Sequence, residues 1–175
     1  MAYSDFASLA TVRKRYVSLV GGKPIPTGAD LKDLHLLIVD DEPATLDLIE
    51  ALLKAVGVGS VTRAASGFDA FNILAKSDRV IDCMLCDYAM ANGNGLQLLQ
   101  AVRMGQVKNV RPDACFVLVT ATGDPSVVAT AAELDVSGYV VKPATPKKLQ
   151  SAIAKARGRA IKVNFEKYGK VVVPQ

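Results

Sequence analysis

The sequence contains no tryptophan, one histidine and only three cysteines among its 175 residues. It also contains no apolar run that approaches the roughly 18 residues of a membrane-spanning helix. Three basic residues, Arg13, Lys14 and Arg15, lie in the middle of the N-terminal stretch and exclude the apolar core of a signal peptide. These absences predict a soluble, cytoplasmic protein without a membrane span.

The three cysteines cannot all pair with one another, and each lies in or at the end of a predicted buried strand (Cys83, Cys86 and Cys115). On this ground we expect a reducing compartment. Cys83 and Cys86 form a C-x-x-C pattern, but a strand points these two positions to opposite faces. No second pair completes a zinc site, so we favour core thiols over a redox or metal motif.

Hydrophobic residues make up 50% of the chain and charged residues 22%, which excludes general disorder and suits one globular domain. A chain of this length buries enough surface to need no disulfide or metal. The net charge of +4 is uneven, because residues 35–145 hold thirteen acidic and eight basic side chains, whereas residues 146–175 hold one acidic and eight basic. We favour a solvated helix face and a flexible end for this basic tail, with an anionic partner as the alternative.

Five short apolar runs alternate with segments of helical periodicity. The predicted strands span residues 34–39, 58–64, 80–86, 114–119 and 137–141. Helix starts are marked by proline in the first turn or by a capping residue, at Pro43, Ser66, Asp124-Pro125 and Thr145-Pro146, and a further helix contains Leu96 to Val102. This alternation predicts an α/β fold with a doubly wound, five-stranded parallel sheet covered by helices on both faces.

Two segments lie outside the alternating pattern. Apolar residues near helical spacing predict an extra amphipathic N-terminal helix over residues 4–20, with a face formed by Phe6, Leu9, Tyr16 and Val20. This face could mediate a homodimer or pack onto the body, and both alternatives stay open. We expect an N-terminal helix and linker, a single α/β domain and a basic, extended C-terminal arm, at residues 1–33, 34–157 and 158–175.

Polar residues follow the predicted strands at the edge where open α/β sheets bind ligands. They are Asp40 and Asp41 after the first strand, Asp87 after the third, Thr120 after the fourth and Lys142-Pro143 after the fifth. Two carboxylates 4 Å apart repel by about 4 kcal/mol at an effective dielectric of 20, so three of them need cations. Lys142 supplies one positive charge. Mg²⁺ suits the remainder because it takes oxygen ligands and keeps positions for water and phosphate.

This combination of groups suits phosphoryl transfer to a carboxylate. Aspartate can act as a nucleophile and form an aspartyl phosphate, and the transfer needs positioning and positive charge more than covalent help. Lys142 would neutralise one phosphoryl oxygen, and the hydroxyl of Thr120 would hydrogen-bond another. The single histidine, His35, lies inside the first strand, so we interpret it as a packed or edge residue and not as a general base.

The same positions resemble the receiver domain of bacterial two-component response regulators. The resemblance lies in Asp40-Asp41-Glu42, Asp87-Tyr-Ala-Met90 with Gly93 and Gly95, Thr120-Ala121 and Lys142-Pro143, in this order and each at a predicted strand end. It covers residues 34–157 and implies the flavodoxin-like receiver fold with strand order 2-1-3-4-5. It further implies that the chain receives a phosphoryl group from a histidine kinase or phosphotransfer protein and signals by relay or by docking to a downstream protein. Since few residues follow position 157, we expect a stand-alone response regulator without an output domain.

The resemblance also implies the metal centre. Asp87 would be the phosphoacceptor. Asp41, Asp87 and the backbone carbonyl of Ala89 would hold Mg²⁺, and Asp40 would either ligate it or hold one of its bound waters. Ala89 departs from the polar residues that touch the attacking water in some relatives, so the lifetime of the phosphorylated form stays open.

The phosphoryl-binding and switch residues follow from the same resemblance. Thr120 and Lys142 would bind the phosphoryl group, and Thr120 and Tyr139 would form the conformational switch. The Lys142–Pro143 bond would be the family's cis peptide, which proline makes accessible at about 0.5–1 kcal/mol. Ala91 stands where the family often has proline, which should loosen the loop without removing a ligand.

Two other classes of function remain as alternatives. Aspartate-nucleophile phosphohydrolases also carry acidic rims, but they usually need a second acid two residues after the nucleophile, where this chain has Ala89. We therefore expect a phosphoacceptor and not an enzyme. An anion-binding or nucleic-acid-binding adaptor would use the basic residues Lys147, Lys148, Lys155, Arg157, Arg159 and Lys162. The lack of aromatic residues among these charges argues against nucleic acid.

Overall fold

Five parallel strands form the centre of the computed structural model, which describes residue 11 and residues 30–121 and 123–174. The strands are β1 (His35–Val39), β2 (Ser60–Ala64), β3 (Cys83–Asp87), β4 (Phe116–Thr120) and β5 (Gly138–Val141). Their order in the sheet is β2-β1-β3-β4-β5, which confirms the predicted topology. Consecutive strands are neighbours in this order except β2 and β3, which lie on opposite sides of β1.

Six α-helices connect or follow the strands within the described residues. They are α1 (Pro43–Ala55), α2 (Gly67–Lys76), α3 (Gly95–Arg103), α4 (Pro125–Glu133), α5 (Pro146–Gly158) and α6 (Phe165–Lys170). The side chains of Ser66, Asp124 and Thr145 accept hydrogen bonds from backbone N–H groups of the helices that follow them, so these three predicted N-caps are confirmed. None of the described helices is long and apolar enough to span a bilayer.

The core consists of two apolar clusters, one on each face of the sheet. Alternation along β1 places Leu37 and Val39 in one cluster and Leu36 and Ile38 in the other. All residues of β1, β3 and β4 are buried, whereas the edge strands β2 and β5 are partly exposed. This two-sided burial explains why the three central strands are almost continuously apolar in sequence.

The structure differs from the expectation of core thiols, on which the expected reducing compartment was based, at two of the three cysteines. Cys83 and Cys115 form a disulfide, with their Cα atoms 4.6 Å apart, and Cys86 is free and buried. Cys83 and Cys115 stand one position before the β3–β4 pair Met84 and Phe116, so the parallel register sets their side chains side by side. Cys83 and Cys86 do lie in opposite core clusters, as predicted for two strand positions three residues apart.

The structure describes most of the predicted C-terminal arm but almost none of the predicted N-terminal helix. The predicted N-terminal helix over residues 4–20 and its linker lie outside the described residues except for Thr11, which is helical. The C-terminal arm is not simply extended, because it contains helix α6. Asn164 caps this helix by accepting a hydrogen bond from the N–H of Lys167 at 3.0 Å, and Phe165 and Tyr168 bury their rings on its inner side.

Candidate functional site

The carboxyl ends of the central strands bring the predicted polar residues together. Asp87 ends β3 and Thr120 ends β4, and the register pairs Asp87 with Val119 and Thr120 with Val141. Asp40 follows β1 directly, and Lys142 follows β5. Adjacent parallel strands in register end at the same edge, so residues distant in sequence meet there.

Three carboxylates form the centre of the site. One oxygen from each of Asp40, Asp41 and Asp87 lies within 4.8 Å of the others. Asp40 and Asp87 are buried, and Asp41 is exposed. The N–H of Glu42 donates to Oδ1 of Asp40 at 2.9 Å, and the N–H of Ala91 donates to Oδ2 of Asp41 at 2.8 Å. A set of hard oxygen donors at this spacing fits Mg²⁺, which binds one or two carboxylates and keeps the rest of its shell for water and phosphate.

Lys142 lies between the two buried carboxylates. Its Nζ is 2.9 Å from Oδ2 of Asp40 and 3.0 Å from Oδ1 of Asp87. Burial lowers the pKa of Lys142, but its bonds to the two carboxylates outweigh burial and raise this pKa overall. Burial raises the pKa of Asp87; Lys142 opposes this shift, and the charges of Asp40 and Asp41 add to it. The contact with Lys142 therefore favours the ionised form of Asp87 against the effect of burial.

Thr120 and Tyr139 meet on the next two strands. Thr120 is 1% exposed, whereas Tyr139 is half-buried and packs against the cluster that contains Phe116. Burial raises the pKa of Tyr139, and a hydrogen bond with Thr120 opposes this shift. The peptide bond between Lys142 and Pro143 is cis. The hydroxyl of Thr120 is thus linked to an aromatic ring that reaches the surface.

The loop between β3 and α3 begins at Asp87 and brings α3 back against this strand end. It contains Ala89. The N–H of Tyr88 donates to the carbonyl of Val119 at 3.2 Å, and the N–H of Gly95, the first residue of α3, donates to the carbonyl of Tyr88 at 3.0 Å. A Cβ atom at Gly95 would collide with the backbone carbonyl oxygen of Asp87. Glycine at this position therefore allows α3 to begin directly against the strand end that carries Asp87.

Sequence analysis missed Asn94, which caps α3. Its Oδ1 accepts from the N–H of Gln97 at 3.0 Å, and its own N–H donates to Oε1 of Gln97 at 3.1 Å. Its Nδ2 donates to the carbonyl of Pro174 at 2.6 Å. An Asn-x-x-Gln pattern before an apolar helix is a capping-box signal that could have revealed the cap, but not the contact with Pro174.

His35 lies at the opposite end of β1 from Asp40, away from the carboxylates. Its ring Nε2 is 2.7 Å from Oγ1 of Thr62, and the backbone N–H of His35 donates to Oδ2 of Asp82 at 2.8 Å. Burial lowers the pKa of His35, and the charge of Arg79 adds to this shift. His35 is 6% exposed as a whole residue, so its interpretation as a packed residue is confirmed.

The basic C-terminal residues do not form one free surface. Arg157 is buried, and Nη1 of Arg159 donates to the carbonyl of Val136 at 2.9 Å. Lys147, Lys155 and Lys162 are exposed. Part of the predicted anion-binding set therefore supports the fold instead of facing a partner.

Comparison with known proteins identifies the family. The model of the response regulator receiver domain matches residues 36–154, which include the three carboxylates, Thr120, Tyr139 and Lys142. The chain belongs to the response regulator receiver family. A CheY homolog, a chemotaxis protein of Campylobacter jejuni, is 31% identical to this receiver over 125 residues, which are 71% of this chain and 93% of that protein.

Solved receiver structures have the same fold. A response regulator receiver domain protein from Clostridium thermocellum superposes with a TM-score of 0.62 at 26% identity, over 71% of this chain and 94% of that protein. The receiver domain of a sensor histidine kinase from Pseudomonas aeruginosa superposes with a TM-score of 0.62 at 21% identity, over 72% of this chain and 98% of that domain. That domain was solved with a magnesium ion coordinated in its active-site cleft.

Proposed function

We propose that this receiver accepts a phosphoryl group on Asp87 from a histidine kinase or phosphotransfer protein in a Mg²⁺-dependent reaction. The observation that carries the proposal is the position of Lys142, whose ammonium contacts the carboxylates of both Asp40 and Asp87. Asp41 completes a set of three carboxylates within reach of one cation. A buried, cation-dependent carboxylate at a strand end is the arrangement that aspartyl phosphate formation needs.

The proposed transfer begins with attack by a carboxylate oxygen of Asp87 on the phosphorus of the donor. A new O–P bond forms while the bond between phosphorus and the donor atom breaks, and the donor keeps that electron pair. Lys142 neutralises charge on a phosphoryl oxygen, and the hydroxyl of Thr120 donates a hydrogen bond to another. When bound by Asp40, Asp41, Asp87 and the carbonyl of Ala89, Mg²⁺ supplies further charge neutralisation.

We propose that Thr120 and Tyr139 transmit the modification to the protein surface. Movement of Thr120 toward the phosphoryl group would break its hydrogen bond with Tyr139, and the ring would then change its position. Val141, two positions after Tyr139 on the edge strand β5, is an exposed apolar side chain. A downstream protein that docks there would distinguish the two positions of the ring.

We also propose that the chain is a phosphoacceptor and not an enzyme with turnover. Ala89 supplies no acid or base side chain two residues after Asp87, so water attack on the aspartyl phosphate would receive no help from that position. Because the proposed phosphoryl donor is a cytoplasmic kinase, we also propose that the receiver is cytoplasmic. Incubation with a small phosphate ester separates the alternatives, because a phosphohydrolase releases many equivalents of phosphate.

The deciding experiment is intact-mass spectrometry after incubation with acetyl phosphate and Mg²⁺. We expect the wild-type protein to gain one phosphoryl group and Asp87→Asn to gain none. Asp47→Asn is the matched control, because Asp47 is an exposed carboxylate on α1 that pairs with Arg63. A mass gain in Asp87→Asn equal to that of the wild type contradicts the assignment of Asp87, and so does the absence of any gain in the wild type.

A further inference from the structure

The residues after α5 fold back over the domain, and we call residues 159–174 the C-terminal brace. The brace begins at the α4–β5 turn, where Arg159 donates to the carbonyl of Val136. The same turn provides the Oδ2 atom of Asp135, which accepts from the hydroxyl of Tyr168 at 2.9 Å and pairs with Nζ of Lys167 at 3.0 Å. Since Tyr168 is fully buried, these contacts fix the brace firmly to the body.

The brace then follows α3 toward the site. Nε2 of Gln100, on the outer part of α3, donates to the carbonyls of Tyr168 and Val171, each at 2.9 Å. Val171 and Val173 pack against the core cluster on this face of the sheet. The apolar contacts and the two hydrogen bonds hold the brace along the helix whose first turn lies against Asp87.

The brace ends at Asn94, which joins α3 to the loop of the carboxylate site. The side-chain amide of Asn94 makes two hydrogen bonds: its oxygen caps α3, and its nitrogen donates to the carbonyl of Pro174. The loop before Asn94 contains Ala91, whose N–H holds Asp41. Pro174 is therefore connected through Asn94 to the loop that also carries Ala91, the residue whose N–H donates to one carboxylate of the site.

We propose that the C-terminal brace positions the β3–α3 loop for cation binding, with Asn94 as the positioning residue that connects them. The inference rests on the proposed function for the identity of the cation, Mg²⁺. If the last residues of the brace favour the loop geometry that binds Mg²⁺, then Mg²⁺ must equally favour docking of those residues, because coupling between two sites is reciprocal.

The first test compares Mg²⁺ affinity among three variants by isothermal titration calorimetry with Mg²⁺ alone. Asn94→Ser keeps a good capping oxygen but loses the amide donor, and a chain shortened after Lys170 loses the carbonyl of Pro174. A hydrogen bond of ordinary strength corresponds to about a two- to tenfold change in an equilibrium constant, and we expect a loss of affinity in this range for each. The doubly altered protein should lose no more than the shortened chain does.

If the two changes weakened Mg²⁺ binding only through a general loss of stability, their effects would add in the double variant. A loss in the double variant no larger than that of the shortened chain therefore indicates that both changes act through the same contact. Gln100→Ala gives an independent check, because it releases the middle of the brace without touching the loop or the cap. It should weaken Mg²⁺ binding in the same direction. Wild-type affinity in Asn94→Ser and in the shortened chain, both folded by circular dichroism, overturns the inference.

The second test needs no variant. Hydrogen exchange at the amides of residues 171–173 in the full chain should slow when Mg²⁺ is added, and unchanged exchange at saturating Mg²⁺ overturns the coupling. The two hypotheses fail in different ways. A wild-type protein that gains a phosphoryl group while the brace variants keep full Mg²⁺ affinity refutes the brace alone, whereas a wild-type protein that neither binds Mg²⁺ nor gains a phosphoryl group refutes both.

Discussion

The ammonium of Lys142 lies 3.0 Å from a carboxylate oxygen of Asp87, and this contact joins the ends of two strands that are not neighbours in the sheet. It has two consequences. It favours the ionised form of a carboxylate whose burial disfavours ionisation. It also places a positive charge beside the oxygen that would attack phosphorus.

Replacing Lys142 by methionine should slow phosphorylation of Asp87. A hydrogen bond to a charged group is worth about 1.5–3 kcal/mol, so we expect the rate with acetyl phosphate to fall by about ten- to a hundredfold. The rate is measured by intact mass over time at saturating Mg²⁺. Lys155→Met is the matched control, because it removes the same charge from an exposed position on α5. Equal rates in the two variants would mean that Lys142 has no special part in the transfer.

Mg²⁺ binding should weaken as the pH falls toward the raised pKa of Asp87. Burial first, and then the charges of Asp40 and Asp41, raise this pKa above the ordinary aspartate value despite the opposing effect of Lys142. Protons and Mg²⁺ compete for the same carboxylate, so affinity should be highest above that pKa and should decline through it at pH values where an ordinary aspartate is still ionised. Calorimetric titrations across this range test the sign.

Asp87→Asn is the control for this pH dependence, since an amide does not titrate. The variant should bind Mg²⁺ more weakly at every pH and should lose the part of the decline that lies above the ordinary carboxyl range. A decline of the same size and position in Asp87→Asn would assign the titration to another group.

The sequence was sufficient to predict that these residues meet at one edge, because they follow strands whose ends are set by the topology. Asp40, Asp87, Thr120 and Lys142 each come directly after, or end, an apolar run, and the parallel sheet brings such positions together whatever the details of packing. This prediction did not require knowing which strands are neighbours in the sheet. The sheet order itself followed from the resemblance of four ordered motifs.

The features that the sequence did not reveal depend on contacts between distant segments. The Cys83–Cys115 disulfide requires the register of β3 against β4, which a pattern along one strand does not contain. Helix α6 is short, and its stability comes from burial of Tyr168 on the body and not from an amphipathic repeat. The bond from Asn94 to Pro174 joins two loops and leaves no periodic signal.

Gly95→Ala should destabilise the fold because the new methyl group would meet backbone. A Cβ atom at this position collides with the carbonyl oxygen of Asp87 and crowds the side chain of Leu118, neither of which can move freely in the sheet. Overpacking of this kind costs about 1–3 kcal/mol, and urea denaturation would measure the loss. Gly158→Ala is the control, because nothing lies within 4 Å of its added Cβ. If the Gly95→Ala protein were as stable as Gly158→Ala, the start of α3 would be able to shift away from Asp87 and accommodate the methyl group.

Arg103→Lys should destabilise the protein although it keeps the charge. The guanidinium of Arg103 is fully buried, and burial lowers its pKa to about 10. Its nitrogens donate mainly to backbone carbonyls, those of Pro112, Ala114, Leu134 and Asp135. A lysine has three donors on one atom and cannot reproduce this planar fork, so at least one buried carbonyl loses its partner.

The expected loss for Arg103→Lys is about 1–3 kcal/mol per carbonyl left without a donor, again measured by urea denaturation. Arg63→Lys is the matched control, because Arg63 is a partly exposed residue of β2 that pairs with Asp47 and Glu50, and it should change stability by less than about 1 kcal/mol. The carbonyls that Arg103 binds belong to the segment before β4 and to the α4–β5 turn where Asp135 holds Tyr168. If the turn is loosened, hydrogen exchange in the brace should therefore quicken in Arg103→Lys and stay unchanged in Arg63→Lys. Equal stability losses in the two variants would show that the fork geometry contributes nothing beyond its charge.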